Sequence, residues 1–163
     1  MRGTTHFSAG AAIGTLVGAL AGHPVAGLIT GAAAGLVPDV DYPGSLIGKY
    51  VRPLAVYLEE KAGHREITHT LLFCIPAGFV LGLLAGVITG SLTLILAGIL
   101  GTISHLVLDA MTKTGIRPFL YLPVGKLKQK HYKGGVITGK DYREHIITIA
   151  SWIAVILVYI RII

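Results

Sequence analysis

The chain has 163 residues, 53% of them hydrophobic and 13% charged, with a mean hydropathy of +0.72; this is too apolar for an ordinary soluble domain and points to a membrane protein. A net charge of +6 in so apolar a chain fits cytoplasmic loops facing anionic lipid, and no nucleic acid is expected as a partner because no aromatic-basic reader motif is present. The single cysteine, Cys74, lies in an apolar run, which excludes an intramolecular disulfide and marks a buried bystander.

Residues 7–37 are almost wholly apolar and rich in Gly and Ala, interrupted at Gly22-His23-Pro24. Proline disfavours helix in the residue before it and has no amide to continue a hydrogen-bond ladder, so the run is expected to form a hairpin of two short helices. Gly10, Gly14 and Gly18, then Gly27, Gly31 and Gly35, recur every fourth position and give each helix a smooth packing face. One long kinked span is the competing form, since each half is short for a bilayer. Arg2, the apolar run and Ala19-Leu20-Ala21 imitate a cleavable signal, but a lone arginine is a thin basic region and cleavage would discard His6. Pro38 is expected to end the second helix and leave Asp39-Val40-Asp41 extended, with both carboxylates on one side. From Ser45, as N-cap, to Glu60 a one-sided apolar pattern predicts an interfacial helix that Pro53 would interrupt.

Thr68 is expected to cap the next helix. Residues 70–89 carry no charge and read as a transmembrane helix kinked near Pro76, Gly90-Ser91 as a tight turn, and 92–111 as a second apolar helix with Ser104, His105 and Asp109 in its last turns. Residues 112–145 form a basic loop and 146–163 a terminal span. The expected fold is all-α: a single polytopic membrane domain of about five membrane helices, two hairpins plus a C-terminal span, with the interfacial helix in a ligand-bearing connection over 38–69. Thirteen of the fourteen Lys and Arg residues, all but Arg161, then fall on one side, which the positive-inside rule makes cytoplasmic.

Seven candidate metal ligands collect at those cytoplasmic helix ends: His6, Asp39, Asp41, His64, His69, His105 and Asp109. His105 and Asp109, four apart, stack on one helix face. His64 and His69 are five apart, about 140° around an ideal helix; they converge only if His64 and Arg65 lie in the loop and His69 in the first turn of the span. Ionisable groups inside a membrane are costly and by default functional. A nitrogen and oxygen donor set without cysteine suits one or two divalent ions, Zn²⁺ or Mn²⁺ foremost and Fe²⁺ next, and two ions about 3.5–4 Å apart are a common hydrolytic device.

The function expected is that of a metal-dependent hydrolase, cleaving a phosphoester or acyl ester of a lipid-like substrate at the cytoplasmic leaflet with metal-activated water. Arg65, Asp41 and His69 would carry the chemistry; Arg65 would pair a substrate phosphate and steady the developing charge, or else neutralise Asp39 or Asp41. Membrane lipid is the expected partner, and the lysines between Lys126 and Lys133 could gather phosphate-bearing substrate. His23 reads as a turn residue on the far face, and His131 and His145 as loop residues. A metal transporter or sensor with an intramembrane His/Asp site is the alternative, opposed by a far face whose turns carry only His23. A silent adaptor holding a structural metal is a third.

Thr5-His6 opening a Gly/Ala helix, Pro38-Asp39-Val40-Asp41, His64-Arg65 with Thr68-His69-Thr70, and Ser104-His105 with Leu108-Asp109 resemble, in order and spacing, the motif series of the YdjM-like family of inner-membrane metal-dependent hydrolases. The resemblance runs from His6 to about Tyr121. It implies a prokaryotic polytopic membrane protein with hydrolase activity, one branch of the family being described as LexA-binding. It also implies an acidic residue near Glu144 as a further member of the site.

Overall fold

The computed structural model describes residues 1–162; Ile163, the last residue of the expected terminal span, lies outside them. Among the described residues there are six α-helices: α1 (Gly3–Leu20), α2 (Pro24–Leu36), α3 (Arg52–Ala62), α4 (Leu71–Thr89), α5 (Leu94–Ala110) and α6 (Tyr142–Ile162). Single 3₁₀ helices cover Val37–Asp41 and Gly125–Gln129, and among the described residues β-structure is confined to two isolated bridges, Thr112 with Val136 and Ile116 with Tyr132. The all-α expectation holds. Among the described residues two helices, Leu71–Thr89 and Tyr142–Arg161, are long and apolar enough to cross a membrane, and Leu94–Ala110 is a shorter apolar helix.

The first hairpin closes as its glycines require. Pro24 opens α2, where a missing amide costs nothing, and Gly22 takes the turn at φ +75°. The two glycine rows then meet backbone to backbone: a Cβ on Gly14 would stand 2.1 Å from the Gly27 carbonyl oxygen, and one on Gly31 would stand 2.2 Å from that of Gly10. The second hairpin repeats the device, with a Cβ on Gly98 falling 2.0 Å from the Gly78 oxygen. Helix α5 packs against α1, α2 and α4, and α6 lies along α1. Phe7 meets Trp152 there at 6.3 Å between ring centroids, and the Thr148 hydroxyl donates to that of Thr5 at 3.2 Å.

The pattern of burial is the reverse of a soluble core. The residues buried along α4 are Cys74, Gly78, Gly82 and Gly86, while Leu84, Val87 and Ile88 of the same helix face outward, Ile88 at 84% exposure. Small residues inside and large aliphatic ones outside is the arrangement expected where the surroundings are as apolar as the side chains and close packing holds helices together. Cys74 is buried and donates to the Thr68 carbonyl at 3.3 Å, a bystander as expected.

Four local expectations are corrected. Asp39-Val40-Asp41 is not extended but closes a 3₁₀ turn continuing directly from α2; with three residues per turn the two carboxylates diverge and face opposite nitrogens of His69. The amphipathic helix starts at Arg52, not Ser45, and Pro53 in its first turn begins it instead of breaking it. The Ser45 hydroxyl instead donates to the Asp39 carbonyl and receives the Gly48 amide, both at 2.7 Å. Thr70, not Thr68, caps α4, its hydroxyl receiving the Phe73 amide at 3.3 Å.

Candidate metal centre

Every connection that brings a ligand ends at the same end of the helix bundle. His6 sits in the first turn of α1, Asp39 and Asp41 in the turn after α2, His64 and His69 before α4, and His105 and Asp109 in the last turns of α5. His69 lies just before α4 and not within its first turn, because Thr70 is the cap. His6, His69, His105 and Asp109 are fully buried, Asp39 and Asp41 nearly so. All seven expected ligands converge, forming three overlapping groups whose donor atoms lie within 4.8 Å of one another: His6, His105 and Asp109; Asp39, His69 and His105; Asp41, His64 and His69.

Hydrogen bonds to the outer nitrogens fix which ring atoms face inward. Nδ1 of His105 lies 2.8 Å from the Gly35 carbonyl oxygen, which can only accept, so Nδ1 carries the proton and Nε2 presents a lone pair. The Thr68 hydroxyl donates to Asp41 Oδ2 and is 3.0 Å from Nδ1 of His69, which therefore donates to it. In the neutral ring Nε2 of His69 also presents a lone pair, 3.1 Å from that of His105. Two lone pairs at that distance repel unless a cation stands between them, either a proton on one ring or a metal ion.

The donor spacing fits a metal. In a tetrahedral Zn²⁺ site with bonds of about 2.0–2.1 Å, donors stand about 3.3 Å apart. The two Nε2 atoms are 3.1 Å apart, each is 3.6 Å from Asp39 Oδ1, and their distances to Asp109 Oδ2 are 3.5 and 3.8 Å. His6, stacked on His105 at 3.6 Å between centroids, brings Nε2 to 3.1 Å from Asp109 Oδ1. Both ring nitrogens of His6 and Asp109 Oδ2 are buried without a hydrogen-bond partner among the described residues, although Asp109 Oδ2 has the Arg65 guanidinium within ion-pair distance at 2.9 Å. Buried polar atoms are rarely left so; a cation on this side of the ring would satisfy Nε2 of His6 and Asp109 Oδ2.

Asp41 and His64 stand one layer out. Asp41 Oδ1 meets Nδ1 of His64 at 2.8 Å, and Oδ2 receives the Arg65 amide at 3.1 Å together with the Thr68 hydroxyl. Burial opposes ionisation of Asp41, but His64, His69 and Thr68 outweigh it and hold the carboxyl below its usual range. Burial likewise opposes ionisation of Asp39, and His69 with the neighbouring imidazoles again prevails. At His69 burial disfavours the charge, yet Asp109 and Asp39 raise its pKa above the ordinary imidazole value, so a metal ion would take the place of a proton on Nε2 there.

Arg65 neutralises neither Asp39 nor Asp41 through its side chain, as the sequence suggested it would if not on substrate; its guanidinium pairs with Asp109 and donates to the hydroxyls of Thr112 and Thr114. Its backbone is left-handed, at φ +72°, a conformation that costs energy for a non-glycine residue and is kept where surroundings enforce it. Glu144 does not join the ligands. It is buried, and its two oxygens receive the backbone amides of Arg2 and Gly139, tying α6 to the start of α1. His23 lies in the distant turn, as expected, and His145 is exposed at the start of α6. His131 is more than a loop residue: with His64 and Arg65 it lines a cleft of about 700 Å³ beside the cluster. The roles of Thr68, Thr112 and the Gly35 carbonyl escape sequence reasoning; only the position of Thr68 beside His69 hinted at one.

Over residues 1–163 the sequence matches the family described as YdjM inner membrane protein. A protein of Bacillus subtilis (strain 168) named "Uncharacterized protein YvsG" is 31% identical over 153 residues, 87% of this chain and 93% of that protein. The inner membrane protein YdjM of Escherichia coli (strain K12) is 33% identical over 88 residues, 53% of this chain and 44% of that protein, and YdjM of Shigella flexneri matches to the same extent. The matched stretch is thus less than half the length of those two relatives. No solved structure matches the chain. With its full length matched and its buried His/Asp cluster at one end of an apolar helix bundle, the chain belongs to the YdjM inner membrane protein family.

Proposed function

We propose that this protein is a multi-pass enzyme of the inner membrane, with α1, α2, α4, α5 and α6 as its membrane helices. In this reading it holds one or two divalent ions, Zn²⁺ or Mn²⁺, at their cytoplasmic ends and hydrolyses a phosphoester or acyl ester of a lipid-like substrate. The observation that carries it is the pair of inward Nε2 atoms of His69 and His105, 3.1 Å apart among carboxylates, beside a cleft open to substrate. His69, His105, Asp39 and Asp109 would hold the ion, with His6 completing its inner side. The orientation follows from lysine and arginine placement, because the far turns at 21–23 and 90–91 carry neither.

A bound divalent ion supplies Lewis acidity, polarising an ester oxygen and lowering the pKa of water towards neutrality. The residues of the chain do the rest. Gly35 and Thr68 fix the imidazole tautomers, and Asp41 holds Thr68 and His64 in place. Arg65 sets a fixed positive charge between Asp109 and the cleft wall, where an ester oxygen gaining charge would face it.

Arg65→Lys tests the last role. Lysine keeps the charge but loses the planar fork that reaches Asp109, Thr112 and Thr114 together. In a screen of phosphatidic acid, phosphatidylglycerol phosphate and short acyl esters with protein in detergent, the variant should keep its metal while turnover falls about tenfold or more. Absence of turnover in the wild type, with ion accumulating in proteoliposomes instead, would replace the hydrolase with a transporter.

A further inference from the structure

The cleft beside the ligand cluster is built by two stretches, residues 64–66 and the loop over 112–138. We propose that it is a phosphate-binding site, which selects a phosphate-bearing substrate and seats that group beside the metal centre. It rests on the hydrolase reading for what becomes of the bound ester, and not for the binding itself.

Two guanidinium groups, of Arg65 and Arg117, and two imidazoles, of His64 and His131, line the cleft. The hydroxyls of Thr114 and Thr138 add neutral donors. Against these stands one carboxylate, Glu66, already paired with Arg117. The loop is held in register by the antiparallel bridge of Ile116 with Tyr132, hydrogen-bonded both ways at 2.9 Å. One step along that ladder Arg117 and His131 come opposite each other. The Leu71 amide, donating to the Pro118 carbonyl at 2.8 Å, fastens the same loop to the start of α4.

The two arginines are not equivalent. Arg65 is committed to Asp109, Thr112 and Thr114, and its side chain is 16% exposed. Arg117 is 41% exposed and held by a single half-exposed carboxylate, so an arriving phosphate can replace Glu66 with a charge-assisted fork. Glu66 thus acts as the resident counter-ion. Arg65 joins the two places, since Thr114, which it holds, lines the cleft and Asp109, which it also holds, belongs to the cluster. A phosphate on Arg117 would therefore lie one arginine away from the metal ligands.

The test uses protein stripped of metal with chelator and kept in detergent, so that binding is read without turnover. Inorganic phosphate, glycerol phosphate and dihexanoyl phosphatidic acid are titrated calorimetrically into wild type, Arg117→Gln and Glu66→Gln. The wild type should bind all three, Arg117→Gln should bind each about tenfold more weakly, and Glu66→Gln, which breaks the same ion pair but leaves the cation free, should bind as tightly or more so. Preference for the short-chain lipid over glycerol phosphate by tenfold or more assigns the site to lipid headgroups, and equal affinity assigns it to soluble phosphate esters. No phosphate binding by the wild type, or equal weakening by both variants, overturns the proposal. Phosphate binding without any ester turnover in the metal-loaded protein would sink the hydrolase reading and leave this one standing.

Discussion

Protein carrying Gly31→Leu should fail to accumulate as a folded species. Gly31 faces the Gly10 carbonyl at 2.2 Å and the Gly14 Cα at 2.7 Å from where a Cβ would sit, and both obstacles are backbone, which cannot swing aside as a side chain can. The α1–α2 contact would have to open along its length, costing roughly 3 kcal/mol or more, a large part of a typical domain's stability. The consequence reaches the site, because Gly35, one turn further, carries the carbonyl that orients His105 and packs against His6. Gly90→Ala is the control: Gly90 has φ +76° but open space around it, so the change should cost about 1 kcal/mol. Size-exclusion profiles and thermal unfolding in detergent separate the two. A Gly31→Leu protein that elutes and melts like wild type would show that the glycine interface is not closed.

Asp109→Ala should have the second large effect, abolishing metal retention and, with it, any hydrolysis. Asp109 is the one carboxylate shared by His6, His69, His105 and Arg65. Its removal also leaves two buried cations without their counter-ion, the Arg65 guanidinium and the Met1 ammonium, at a cost of about 3 kcal/mol or more. The double variant Asp109→Ala/Arg65→Ala removes that pair of charges, leaving the Met1 ammonium alone unpaired, and should regain part of the melting temperature while still holding no metal. Recovery of metal in the double variant would mean that Asp109 merely balances charge and is not a ligand.

Much of this architecture is legible in sequence because its signals are local. A proline after Gly22-His23, glycines at every fourth position and uncharged runs of helical length locate both hairpins within a few residues. The convergence of seven ligands follows once the hairpins place their ends together. What stays hidden depends on contacts across the chain. Whether Asp39 and Asp41 lie in a strand or a 3₁₀ turn depends on α2 running directly into them. Which threonine caps α4 depends on Thr68 being claimed by Asp41, a residue 27 positions away. The partner of Arg65 is Asp109, 44 positions on, reached only through the packing of α5. Glu144 carries the right chemistry for a ligand but is consumed by amides from Arg2 and Gly139, which no spacing rule foretells. The phosphate cleft depends on a loop whose composition reads simply as basic, and whose fold over the site rests on two isolated bridges.

The central claim is that the imidazoles of His69 and His105 face each other to hold a divalent ion, and metal content tests it most directly. Wild-type protein purified in detergent without added metal should carry about one to two equivalents of Zn²⁺ or Mn²⁺ by mass spectrometry of the metals. His69→Ala and His105→Ala should each purify folded with little of either. Full metal content in both variants, or a wild type that takes up neither ion even after dialysis against each, would contradict it.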